Sequence, residues 1–461
     1  MPTNETLDEP EVGSESRESG SPHRPARTLT AALLGFALIT LDASVVNVAL
    51  PAIDSSLGGG MSGLQWVVDA YTLAFAALML STGAFSDRAG ASRAYALGTT
   101  VFTLASAACG LAPTLPALIG ARVVQGVAAA VVLPASLSLV RQAYTDPAQR
   151  AKAVALWAAG GSVAVALGPV AGGALTTAWD WRGIFFINLP LGAIALALLL
   201  RTPRSERRPA PLDLPGQLTA VITLTCVTFA VIEGGATGLA AFVVAVAAAV
   251  LFVRIEGRRS HPVVPIGLFR DRAVRAAVAT GAACSVAFYG GVFLFSLFFQ
   301  QVQGRSALYT GLLFLPMSGL IAVTNVVSGK LAGRYGPRLP MLVGQAVAVA
   351  GLLGLLSVGS GTPAPVVAVL LVPMALGCAL TVPPLTAVMM DAVPAERAGL
   401  AAGVLNAARQ VAGGLGIAVF GALVDGGFDT GMRASLVLGA ALFVLTFVLS
   451  CRLAGRSASR P

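Results

Sequence analysis

The chain has 461 residues, of which 56% are hydrophobic and only 11% charged, against roughly 25% charged in ordinary soluble domains. So few charges exclude a water-soluble surface, and the remaining surface must face lipid. The formal net charge of +9 does not indicate nucleic-acid binding, because Lys and Arg fall in short clusters between apolar runs, not on one face with aromatics to stack on.

Residues 1–27 are polar, acidic and without hydrophobic period, and read as a disordered cytoplasmic tail. They lack the short basic start of a cleaved leader, so the first apolar run is expected to be kept as an anchor. A spanning helix takes about 20 mostly apolar residues, and fourteen segments meet that test. They run over 28–50, 64–86, 94–112, 115–140, 151–176, 184–201, 214–232, 236–254, 273–301, 307–332, 339–358, 364–390, 398–424 and 434–453. In lipid every backbone N–H and C=O must be satisfied within the segment, so these runs are predicted as helices.

Loop charges test the count independently. Only Arg182, Arg305 and Arg433 lie on loops assigned to the outside, and Arg122 and Arg409 lie within spans. Every other Lys and Arg falls on the side of the N-terminus, which predicts that both termini are cytoplasmic and that the chain crosses the cell membrane many times. The fold expected is all-α and integral to the membrane. Its parts are a six-helix bundle over 28–201, two extra helices with basic linkers over 202–272, a second six-helix bundle over 273–453, and a short tail over 454–461. A weak repeat relates the bundles: GAFSDRAG (83–90) and SGKLAGRYG (328–336) place Gly83, Arg88 and Gly90 at one constant offset from Gly329, Arg334 and Gly336.

Six segments now carry a resemblance. LDASVVNVALP (41–51), GAFSDRAG with Arg93, LIGARVVQGVAAA (118–130), ALGPVAGG (166–173), WDWRGIFFINLPLG (179–192) and AGLAAGVLNAARQVAGGLG (398–416) occur in this order on the predicted helices. Together they resemble the major facilitator superfamily, in particular its fourteen-helix drug:proton antiporter branch, nearest to antibiotic exporters of the methylenomycin type. Ser44, Ala91, Ser92 and Ala164 depart from the residues usual in those signatures. The resemblance implies two bundles rocking about a central cavity, with protons moving inward as substrate moves outward.

Charges stranded in spans are costly, about 2.5–3.5 kcal/mol each on insertion scales, and mark interiors or watery cavities. Asp42, Asp69, Arg122 and Arg409 are the four here. A carboxyl at Asp42 can take up and release a proton as access alternates, and the resemblance assigns proton coupling to Arg122, whose fixed charge would set the state of a nearby acid. The alternatives are a local hydrogen bond for Asp42 and snorkelling to the interface for Arg122. Gln125 shares the face of Arg122 and is a candidate substrate contact. Asp69 and Arg409, on helices that would meet across the two halves, are a candidate ion pair.

By the same resemblance, Gly168, Pro169, Gly172 and Gly173 bend and seal the interface between halves, although ordinary small-residue packing uses the same physics. Asp87, Arg88, Gly90 and Arg93 would form a cytoplasmic gate in which Asp87 engages a helix N-terminus or an arginine of the other half. Phe288, Tyr289 and Phe295 are candidate aromatic contacts for a drug-sized ligand, with a lipid-facing stripe as the alternative. Asn47 is a further candidate contact, and interhelical hydrogen bonding is the other role open to it and to Asn325. Glu233 reads as an interfacial residue.

The five cysteines are scattered without a CxxC pair and there are two histidines, so neither a metal nor a catalytic constellation is expected. No phosphate-binding GxxxxGK[ST] loop occurs, which argues against ATP as the direct energy source. No cofactor is called for. The expected partners are a small-molecule substrate, protons and the bilayer, with a monomer as the working unit. A major facilitator transporter of another metabolite, an organic acid, sugar or peptide, whether exported or imported, is the competing reading.

Overall fold

The computed structural model describes residues 23–200, 205, 213–259, 264, 266–393 and 398–457. The tail as far as residue 22, most of the 201–212 linker and the last four residues lie outside them. Within the described residues the chain is helical, with no strand. Helices α1 (His23–Leu57), α2 (Gly60–Ala89), α3 (Ala91–Gly110), α4 (Leu115–Ala143) and α5 (Pro147–Ala178) are followed by two short pieces, α6 (Gly183–Phe186) and α7 (Asn188–Leu199). Next come α8 (Leu214–Glu233) and α9 (Gly235–Glu256). The second half holds α10 (Arg272–Leu297), α11 (Ala307–Leu313), α12 (Leu315–Tyr335), α13 (Arg338–Leu355), α14 (Ala364–Asp391), α15 (Ala398–Asp425) and α16 (Phe428–Ser457).

Each of the fourteen predicted runs is therefore helical, but they do not all qualify as spans. Eleven helices are long and apolar enough to cross a membrane, and α2, bent by 65° between Met79 and Ser81, makes a twelfth when taken as one span. Two predicted spans fall short. In α3, Arg93, Tyr95 and the threonines 99, 100 and 103 dilute the apolar run. The stretch Gly183–Leu199 is apolar but short, and it breaks at Ile187 just before Asn188.

The helix ends follow from side chains at the turns. Thr114, Asp146, Asp213, Asp271 and Ser306 each accept from a backbone N–H in the first turn of α4, α5, α8, α10 and α11. Gly90 ends α2 at φ 88° and Gly336 ends α12 at φ 80°, a region that favours glycine. The repeated sequence thus makes the same turn twice.

Packing groups α1 to α7 around two apolar clusters, one containing Val45, Leu50 and Trp181 and the other Tyr71, Phe102 and Val132. The helices from α10 onward enclose a third, built on Phe295, Phe298, Phe299 and Phe314, which also takes in Val48 of α1. Across the halves, α2 lies along α15 and α5 along α11 and α12. Helix α8 sits where α2 meets α15 and is clamped to α2 at both ends. Gln217 donates to the Ala77 carbonyl, and Glu233 accepts from Ser62 and from the Trp66 indole, both at 3.0 Å. Helix α9 packs on α8 and turns Leu239, Phe242, Val243 and Leu251 outward. An apolar side of this kind is stable only against lipid.

Candidate functional site

Asp42 of α1 and Arg122 of α4 are both fully buried, and they meet: Arg122 Nη1 donates to Asp42 Oδ2 at 2.5 Å. The same guanidinium donates from Nε to the Val67 carbonyl of α2 at 3.1 Å and from Nη1 to Gln125 Oε1 at 2.9 Å. The other carboxylate oxygen of Asp42 accepts from Gln125 Nε2 at 3.1 Å and from Asn188 Nδ2 at 2.7 Å. Asn188 also reaches Ser106 Oγ at 2.9 Å, and Ser106 donates to the Phe185 carbonyl at 2.9 Å. The Arg122 plane lies 4.3 Å from the centre of the Tyr71 ring. Donors from α4 and α7 therefore converge on one carboxylate of α1, within a network that also draws on α2, α3 and α6, and snorkelling does not describe Arg122. A buried ion pair holds only when its remaining lone pairs and protons are also satisfied, which Gln125, Asn188 and the Val67 carbonyl do here.

Sequence reasoning missed Asn188, Ser106, Tyr71 and the Val67 carbonyl. The signal available was an asparagine inside WDWRGIFFINLPLG, at the point where α6 gives way to α7.

Beside this network lies a cavity of about 420 Å³ between the two halves. Its walls include Asn47, Phe288 and Tyr289, with the stacked Phe36–Trp157 pair, ring centres 4.2 Å apart, toward the end where α1 begins. Asn325 lines it from α12 and makes no hydrogen bond to another described residue, so the interhelical bond expected of it is not formed. Asn47 donates to the carbonyl of Ala43 on its own helix. Phe295 does not reach the wall: it is fully buried in the phenylalanine cluster, against Phe298 and Phe299. Gln125 is likewise absent from the wall, held in the Asp42 network.

The ion pair expected between Asp69 and Arg409 is not made. Asp69 is fully buried with both carboxylate oxygens unpartnered, close beside Gly414 of α15. Arg409, more than a turn away on α15, faces the cavity. Asp87, Arg88 and Arg93 are exposed around the buried Gly90, and Asp87 pairs with no described residue.

The opposite end of the cavity is closed by direct helix contact. A Cβ at Gly168 or Gly172 would strike Ser44 and Val45 of α1, and one at Gly173 would strike the backbone of Ala307 and Leu308. Ser296 Oγ donates to the Asn47 carbonyl at 2.7 Å, and Gln300 Nε2 to the Val48 carbonyl at 3.0 Å. The three glycines thus lie where α5 packs on α1 and α11 too tightly for a side chain, and Pro169 among them faces the cavity.

This arrangement, a buried charge network next to a cavity between two related halves, matches a known family along most of the chain. Residues 32–417 match the profile of the Major Facilitator Superfamily. The chain belongs to this superfamily. It is similar to the multidrug resistance protein Stp of Mycobacterium tuberculosis, 40% identical over 86% of this chain and 75% of that one. It is also similar to the methylenomycin A resistance protein of Streptomyces coelicolor, 37% identical over 94% of this chain and 91% of that one. Among solved structures, it shares its fold with a bacterial homolog of the human lysosomal transporter Spinster, crystallised inward-facing and unoccupied. The TM-score is 0.69 at 18% identity, covering 94% of this chain and 98% of that one. As a major facilitator, the chain is a multi-pass membrane transporter of small molecules and not an enzyme.

Proposed function

We propose that this transporter exports small apolar or amphipathic drugs and antibiotics in exchange for protons, by alternating access. The observation that carries the reading is the Asp42–Arg122 pair. A carboxylate fixed by a guanidinium and two amides, one layer behind the cavity wall, is a place where a proton can be exchanged as α1 and α4 move against each other. The names of the relatives, given for multidrug and methylenomycin A resistance, support drugs as cargo.

The proposal extends to topology. Both termini are cytoplasmic in the cell membrane, and α3 and the α6–α7 stretch cross it alongside the eleven clear spans and the bent α2, to make fourteen. The bundles are 28–201 and 273–453, with α8 and α9 as the extra pair, and a single copy is the working unit. With that orientation the closed end of the cavity faces outward. Gly168, Pro169, Gly172 and Gly173 form the outer seal, and the turn with Asp87, Arg88, Gly90 and Arg93 closes the inner side in the opposite state. Asn47, Phe288 and Tyr289 contact substrate.

Expression in a host stripped of its own efflux pumps, scored against antibiotics and dyes, tests the reading. Raised tolerance that disappears with a proton uncoupler and with Asp42→Asn is expected. Tolerance that persists in Asp42→Asn and Arg122→Ala would remove both residues from the coupling step.

A further inference from the structure

Charge on the cavity wall is one-sided. Of the described residues lining the 420 Å³ space, and of those lining a smaller side pocket of about 150 Å³ that opens beside Phe288 and Tyr289, one is ionised: Arg409. No carboxylate lines either space. The acids nearby in the fold are withdrawn from it, Asp42 into its network with Arg122 and Asp69 behind the wall beside Gly414. Arg409 makes no ion pair and no hydrogen bond to another described residue, and its Nε is buried without a partner.

Holding a guanidinium there has structural provision. Gly281 of α10 leaves room for the Arg409 stem, since a Cβ at that position would stand 3.1 Å from Arg409 Cγ. Sharing the cavity wall with Arg409 are neutral polar groups, Asn325 and Ser318 from α12 and Gln410 and Asn406 from α15, together with the crossed Phe288 and Tyr289 rings, whose centres are 5.4 Å apart. An unpaired cation in the membrane interior is costly unless something supplies the missing charge. A planar fork of donors is the side chain best matched to a carboxylate.

We infer that the cavity is selective for acidic amphiphiles: molecules with one carboxylate, or an equivalent oxyanion, that docks on Arg409 while an apolar or aromatic body lies against Phe288 and Tyr289. This rests on the export reading above for its direction of transport, but not for its binding chemistry. A wall that carries the opposite charge to its ligand also rejects cations, so lipophilic cations are expected to be poor cargo.

The test uses three probes with one body and three charges: 1-naphthaleneacetate, 1-naphthaleneacetamide and 1-naphthylmethyl-trimethylammonium. Their binding to the purified full chain is followed by quenching of tryptophan fluorescence and by calorimetry. The acid should bind at least about tenfold more tightly than the amide, the gain typical of a charge-assisted bond, and the cation more weakly than either. Arg409→Gln should bring the acid down to about the affinity of the amide, with amide binding changing much less than acid binding. Arg409→Lys should keep part of the preference. Equal affinities for the three probes, no measurable binding of the acid, or a preference that survives Arg409→Gln would each overturn the inference. The two readings fail separately: export of neutral drugs with no acid preference removes only the selectivity. An acid preference in a protein that confers no tolerance to any compound removes only the export.

Discussion

Asp42 accepts from three side chains on two other helices, and each should make a distinguishable contribution. Removing one partner of a buried ion pair leaves the other charge stranded, at a cost of about 3–5 kcal/mol. Arg122→Ala should therefore lower unfolding stability by that order, and Asp42→Asn combined with Arg122→Gln should recover a large part of it. Denaturation of the detergent-solubilised variants would show this, and additive losses would mean that the pair is not energetically coupled. Asn188→Leu removes a hydrogen bond to a carboxylate, worth about 1.5–3 kcal/mol. It should slow transport while leaving drug binding intact, whereas an unchanged rate would restrict Asn188 to packing. The two charges of this site were legible in the sequence because an ionised side chain in an apolar run is conspicuous. Asn188, Ser106 and Tyr71 were not, since amides, hydroxyls and phenols are common in spans and only the tertiary contact distinguishes them. Arg409 was visible as a charge, but its orientation toward a cavity, and away from Asp69, depends on helix rotation that no periodicity fixes.

Helix α5 carries the closure of one end through Gly168, Gly172 and Gly173, where backbone meets α1 and α11 with no space for a side chain. Gly173→Val should hold that end open. With the five native cysteines replaced by serine, a Ser296→Cys reporter, fully buried in the closed state, should then react with a membrane-impermeant maleimide added outside intact cells. Continued protection would place the seal elsewhere. At this scale most of the fold was readable. Length and apolarity located the long helices among the described residues, and Gly90 and Gly336 make the same positive-φ glycine turn at one of the three matched positions. Sequence was weakest at α3 and at the α6–α7 break, where polar residues needed for packing and for the Asp42 network interrupt the apolar run. It was also silent on the π-helical turn at Phe298–Val302, which continues α10 into the phenylalanine cluster.

For the whole molecule, cargo charge and proton movement combine in one energetic consequence. Export of a monoanion with one proton entering moves two charge equivalents in the favourable direction, and each is worth about 2.3 kcal/mol per 100 mV. In sealed proteoliposomes with a fixed pH gradient, collapsing the membrane potential with valinomycin and potassium should slow export of an acidic substrate more than that of a neutral one. Equal slowing would argue against an anionic cargo. The central claim, that protons pass through the Asp42–Arg122 network as substrate moves outward, is tested most directly by substrate-induced proton flux. The flux would be followed with an entrapped pH dye in proteoliposomes, using a compound returned by the tolerance screen. The native protein should show proton movement opposite to the substrate, and Asp42→Asn should abolish it while still binding that compound. Proton flux of native size in Asp42→Asn would contradict the account.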